Sequence, residues 1–295
     1  MIHASFFPDL GLPTSAVAGL PGGAAYALIG VGLVLLYRMG GVLSFTQGSV
    51  GVFGAVLFQS LTEQEQPMWV ALPAGLLLSA AIAGAIGWVM ARWFAAASLL
   101  TRSAVTIALT VSFSALALRL YGTQSLYFPY LLPSAQVTVA SVVVSANTLL
   151  ALGLAVLCGL GLPALLRWTR LGVQLRAMSE RTSTAELLRV PVRGLSVGLW
   201  AFSGALAALA IILIAPTRQS DAGNLGSVVV AAMAAALIGG FSSFGLTILA
   251  GIAIGVFEGI VTATSLGSYN TVISFVLILG VLLWRRRGDV WNEAR

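Results

Sequence analysis

Residues 10–37 read LGLPTSAVAGLPGGAAYALIGVGLVLLY, with no charge between Asp9 and Arg38. A hydrocarbon core roughly 30 Å thick needs about 20 apolar residues per helical crossing, so this stretch is long enough to span a bilayer. The pattern recurs: no charge falls between Arg38 and Glu63, Glu65 and Arg92, or Arg193 and Arg218. Hydrophobic residues make up 59% of the 295 positions and charged residues 8%, about a third of the usual charged share of a soluble domain. So few charges cannot cover a water-facing surface. The fold class is an all-α polytopic membrane protein.

Apolar runs and their breaks predict helices over 16–37, 41–61, 68–91, 103–121, 142–166, 194–215, 225–239, 243–264 and 269–285, which makes eight or nine membrane helices. The stretch 122–138, with Gly122, Pro129 and Pro133, reads as an external loop. The first apolar run lacks the basic start of a signal peptide and is expected to stay as a helix. The whole of 1–295 is expected to form one transmembrane domain.

The net charge of +6 is carried entirely by arginine. With the N-terminus outside, alternation puts Arg38, Arg92, Arg102, the six arginines of 167–193 and the four after residue 284 on the cytoplasmic side, as the positive-inside rule requires. Only Arg119 and Arg218 fall outside, and the C-terminus is cytoplasmic. These charges belong to membrane topology, so no nucleic-acid partner is expected.

Between Asp221 and Arg285 the single charge is Glu258, and the orientation rule demands an odd number of crossings there. Three helices leave almost no residues for turns, so a short, broken or re-entrant segment is expected near 225–240, ending at Gly239-Gly240. Irregular backbone at membrane depth is tolerated only where it meets protein or a water-lined cavity, which makes 225–245 a candidate pathway lining. Gly30, Gly32, Gly48, Gly51, Gly54, Gly251 and Gly255 read as close-packing positions. Gly48, Gly51 and Gly54 have a second reading as a smooth pathway wall.

One His (His3), one Cys (Cys158) and no Lys leave no disulfide, no zinc site and no phosphate-loop or Schiff-base lysine. No catalytic residue, metal or cofactor is expected, and the chain is not expected to be an enzyme. Candidate pathway residues are Thr46, Gln47 and Ser49, then Ser242 and Ser243, and Glu258, the one acidic residue deep in an apolar run. An intramembrane carboxylate costs a few kcal/mol, so Glu258 faces either a solute or a hydrogen-bonding neighbour.

The loop 167–193 is the one sizeable cytoplasmic feature. Ser183-Thr184-Ala185-Glu186 has capping-box spacing, Leu187 and Leu188 follow, and Pro191 turns Val190 away from helix. This spells a two-turn helix, too short to stand alone in water, which must dock on lipid, on its own domain or on a partner.

Arg170-Leu171-Gly172 through Arg176-Ala177, then Ala185-Glu186-Leu187-Leu188, then Phe202-Ser203-Gly204-Ala205-Leu206-Ala207-Ala208, resemble the core of permeases from branched-chain amino acid ABC importers. Gly41-Val42-Leu43-Ser44-Phe45-Thr46-Gln47-Gly48 is similar to that family's early glycine-rich helix. Gly239-Gly240-Phe241-Ser242-Ser243 through Gly251 and Glu258 resembles its late segment. The likeness runs from about 25 to 288.

The resemblance implies a permease domain in a bacterial cytoplasmic (inner) membrane, paired with a second permease subunit, homologous or identical. It also implies two ATP-binding subunits, which alone use ATP, and an extracytoplasmic solute-binding protein. Ser183, Ala185, Glu186, Leu187, Leu188 and Arg189 would then form the coupling helix seated on the ATPase. Arg189 stands where the family usually has glycine, and Gln47-Gly48-Ser49 replaces a His-Gly-Glu-like stretch. The C-terminal Pro of the usual basic motif is missing. A self-sufficient secondary transporter is the alternative, with Glu258 as its one coupling group. A membrane enzyme is disfavoured for want of a nucleophile and a base.

Overall fold

A computed structural model describes residues 12–132, 136–139, 142–217, 221–264, 276 and 279–280. The elements are α1 (Leu12–Ala18), α2 (Leu20–Gly40), α3 (Gln47–Glu63), α4 (Met68–Trp93), α5 (Leu99–Tyr121), β1 (Gln136–Val139), β2 (Val142–Ser145), α6 (Ala146–Trp168), α7 (Arg170–Glu180), α8 (Thr182–Leu187), α9 (Val192–Ile214), α10 (Ala222–Gly226), α11 (Val228–Ile238) and α12 (Phe244–Thr262). Six helical spans among the described residues are long and apolar enough to cross a membrane. The chain is a polytopic helical membrane protein.

Beyond these six, two further expected crossings are present as shorter helical elements. Helix α3 has 17 residues, and Ala222–Ile238 is broken at Ser227. The ninth expected helix, 269–285, lies outside the described residues apart from three positions. Helix 142–166 starts four residues later than expected. Val142–Ser145 instead forms an antiparallel hairpin with Gln136–Val139, where β-branched valines favour strand, and Ser145 caps α6 by accepting from Thr148 N at 3.2 Å.

Helix α2 is the axis of the bundle, buried along most of its length against α12, α9, α11 and α6. Its contact with α12 is a glycine seam. A Cβ on Gly23 would stand 2.8 Å from Ile252 Cα, and one on Gly251 would stand 2.7 Å from Ala27 N. Gly19 faces Gly255 and Gly259, so small residues one turn apart on both helices bring the backbones together. Pairing of Gly23 with Gly255 and Ala27 with Gly251 makes the two helices antiparallel.

The arginine-bearing ends gather at one end of the bundle. A cavity there is lined by Gly40, Met90, Arg102, Thr182, Glu186 and Arg193, joining the ends of α2 and α4 to the starts of α5, α8 and α9. Arg102 ties them together, donating from Nε to Phe94 O at 3.0 Å and also to Ala95 O and Gly40 O. These carbonyls close helix C-termini, where a cation is favourable. The broken segment 222–238 reaches the same end: Phe241 packs on Tyr37, and Arg38 donates to Ser242 O. Its expected stop at Gly239-Gly240 is found, with Gly240 at φ +65°.

Candidate functional site

The most informative local structure is a gap between helices. The expected helix 41–61 begins only at Gln47, because Gly41 at φ +61° ends α2 and residues 41–46 follow without helical structure. Gly51 packs on Ala207 and Ile211 of α9. At 1.5 Å per residue, Ala207 is about 22 Å along α9 from Val192. Gln47, one turn before Gly51, is therefore inside the bundle. The irregular backbone before it is walled by α5.

Helix α5 supplies the polar partners of this gap. Thr106 Oγ1 donates to Leu43 O at 3.0 Å, and Phe45 N donates back to Thr106 Oγ1 at 3.4 Å. Ser44 and Thr46 share a hydroxyl bond at 3.0 Å, and Gln47 Nε2 donates to Ser44 Oγ at 3.3 Å. Ser49 Oγ meets Thr110 O at 3.4 Å and Ser114 Oγ at 3.2 Å. Gln47 is 1% exposed, and its Oε1 has no hydrogen-bond partner. Exchanging the amide's O and N would only transfer the orphan to the nitrogen. A buried unpaired polar atom costs about 1–3 kcal/mol and calls for an explanation.

The line of hydroxyls leads outward, since Ser49 is buried while Ser114 is exposed. Only 11% of the α5 span is buried, so this wall is thinly held. Thr46, Gln47 and Ser49 are thus brought together. Ser44, Thr106, Thr110 and Ser114 complete the cluster, and sequence reasoning missed them. Their signal was the stripe Ser103, Thr106, Thr110, Ser114 along one face of α5.

The other pathway candidates lie elsewhere. Ser243 caps α12, accepting from Leu246 N at 3.3 Å, and Ser242 Oγ donates to Gly239 O. Glu258 lies about 22 Å along α12 from Ser243. It is buried and accepts a hydrogen bond from Tyr26 Oη of α2. Gly48, Gly51 and Gly54 pack on Val229, on Ala207 and on Ser79, so all three serve close packing here.

In the loop, α8 is shorter than expected and is not started by a capping box. Arg181 occupies the N-cap without a side-chain bond, which places Ser183 inside the first turn. Thr182 Oγ1 turns back instead to Met178 O of α7. The stop is well made: Val190 N donates to Ala185 O at 3.0 Å and Arg189 N to Glu186 O at 2.9 Å, the paired bonds of a Schellman ending. Its left-handed position is Arg189, at φ +61°. Such a position favours glycine, the residue usual at this point in the family that the sequence resembles. Ala185 is buried, whereas Leu187 and Leu188 are 85% and 71% exposed, and Ser183 and Glu186 are exposed beside them.

A family model described as "Branched-chain amino acid transport system / permease component" matches residues 15–282. The chain belongs to that family. It is 31% identical over 132 residues to the "Probable branched-chain amino acid transport permease protein LivH" of Methanocaldococcus jannaschii. That match spans 42% of this chain and 42% of the relative's length. The fold is also similar to a chain of "PsaBC from Streptococcus pneumoniae in complex with Fab". There the TM-score is 0.49 and the identity 15%, over 92% of this permease and 91% of that chain.

Proposed function

We propose that this permease is the membrane-spanning subunit of an ATP-driven importer of branched-chain or other amino acids, or of related small polar solutes such as amides or urea. The observation that carries the reading is α8, which turns two adjacent leucines outward beyond the membrane spans. Apolar side chains displayed on a short stopped helix suit a protein groove better than water. Ser183, Ala185, Glu186, Leu187, Leu188 and Arg189 form the coupling element, with Ala185 as its anchor to the bundle. The seat belongs to one of two ATP-binding subunits. A second permease subunit and an extracytoplasmic solute-binding protein complete the assembly, in a bacterial inner membrane with the arginine-rich end cytoplasmic. ATP is used by the partner chains.

The α3–α5 cluster is the solute contact in this reading. Amino acids, amides and urea all carry N–H donors, and Gln47 Oε1 is an acceptor waiting for one, flanked by Thr46 and Ser49. ATP-driven movement of α8 would shift the bundle between two forms that contact the solute differently, which is what drives net transport. Ser242, Ser243 and Glu258 hold α12 in place.

The test replaces Leu187 and Leu188 together by Ser and measures co-purification with the ATP-binding subunits. Association should be lost while the chain stays in the membrane fraction. Undiminished association would overturn the coupling role. Gradient-driven uptake by this chain alone in liposomes would favour the secondary transporter.

A further inference from the structure

We propose that an anionic phospholipid occupies the groove between α6, α7 and α9, one acyl chain inside and its headgroup at Arg167 and Arg170. The groove holds about 280 Å³ and is lined only by Leu, Gly and Phe side chains, with Leu35 of α2 at its floor. Two glycines keep it open. A Cβ at Gly194 or Gly198, one turn apart on α9, meets nothing within 4 Å. Glycine inside a helix is unfavourable against alanine, and neither residue has the close backbone approach that explains Gly23 or Gly251. The space has the chemistry of hydrocarbon and none of its own side chains fills it.

The border of the groove sets the depth and the charge of the occupant. Trp168 ends α6 and is 79% exposed, the placement of an interfacial anchor. Arg167 and Arg170 are both exposed, each next in sequence to a lining residue, Leu166 or Leu171. Two cations beside an apolar slot match a lipid that carries negative charge. A helix of a second permease subunit would need no such rim. The site is separate from α8 and from the α3–α5 cluster, so it stands whatever the solute.

The experiment is native mass spectrometry of the full chain in mild detergent, with equimolar dioleoylphosphatidylglycerol and dioleoylphosphatidylcholine. The wild type should retain one phosphatidylglycerol, preferred on the order of tenfold. G198L should fill the slot and lose the retained lipid with thermal stability unchanged. R167Q/R170Q should retain a lipid but lose the preference, and this arm keeps the test decisive if G198L does not fold. Equal retention in wild type and G198L, no headgroup preference in the wild type, or a second permease copy displaced by G198L in place of lipid would each overturn the proposal.

Discussion

The seams α2–α12 and α3–α5 solve helix association in opposite ways. Along α2–α12, glycines and Ala27 bring two backbones into contact, and the buried carboxylate of Glu258 has Tyr26. Along α3–α5 the backbone is broken at residues 41–46, hydroxyls and carbonyls replace close packing, and one acceptor is left over at Gln47. Without a hydrophobic drive between helices in lipid, contact area and hydrogen bonds decide stability. The first seam maximises contact area. The second gives up stability at a buried point, as proteins do where a ligand must be met.

The sharpest way to break the contrast is G255L. Its side chain would be driven onto the backbone of Gly23, costing about 3 kcal/mol or more and disrupting the fold, read by thermal unfolding in detergent. On the same helix, G245A adds a methyl where nothing lies within 4 Å and should instead stabilise, by up to about 1 kcal/mol. Y26F removes the donor to Glu258 and should cost about 2 kcal/mol. Replacing Gln47 by Leu should have the opposite sign, raising stability by about 1 kcal/mol while abolishing solute uptake by the assembled transporter. A loss of stability together with normal uptake would show that the orphan acceptor serves packing alone. S49A should be the mildest, about 0.6 kcal/mol, since its bonds to α5 are long.

Much of this architecture is legible in the sequence. Charge-free runs give the spans, glycine pairs give the stop after α11, and the charge balance between Asp221 and Arg285 gives the short segment near 225–240. The gap at 41–46 is not legible, because Val42, Leu43 and Phe45 continue an apolar helical pattern. Only Thr106, from another helix, supplies the bonds that make non-helical backbone tolerable there. The capping box failed for a local reason: α7 runs on to Glu180, so α8 starts at Thr182 and leaves Ser183 two residues past the N-cap. The site was therefore half visible, with Gln47 marked by polarity and its α5 partners hidden in a stripe of ordinary hydroxyls.

The glycine seam also bears on how the molecule is made. Tyr26 and Glu258 are separated by 232 positions in the chain. Helix α2 therefore leaves the ribosome long before its closest companion does. Until then a notched, backbone-exposing face must sit against lipid or a chaperone, so a nascent chain truncated before α12 should be the form that quality-control proteases recognise.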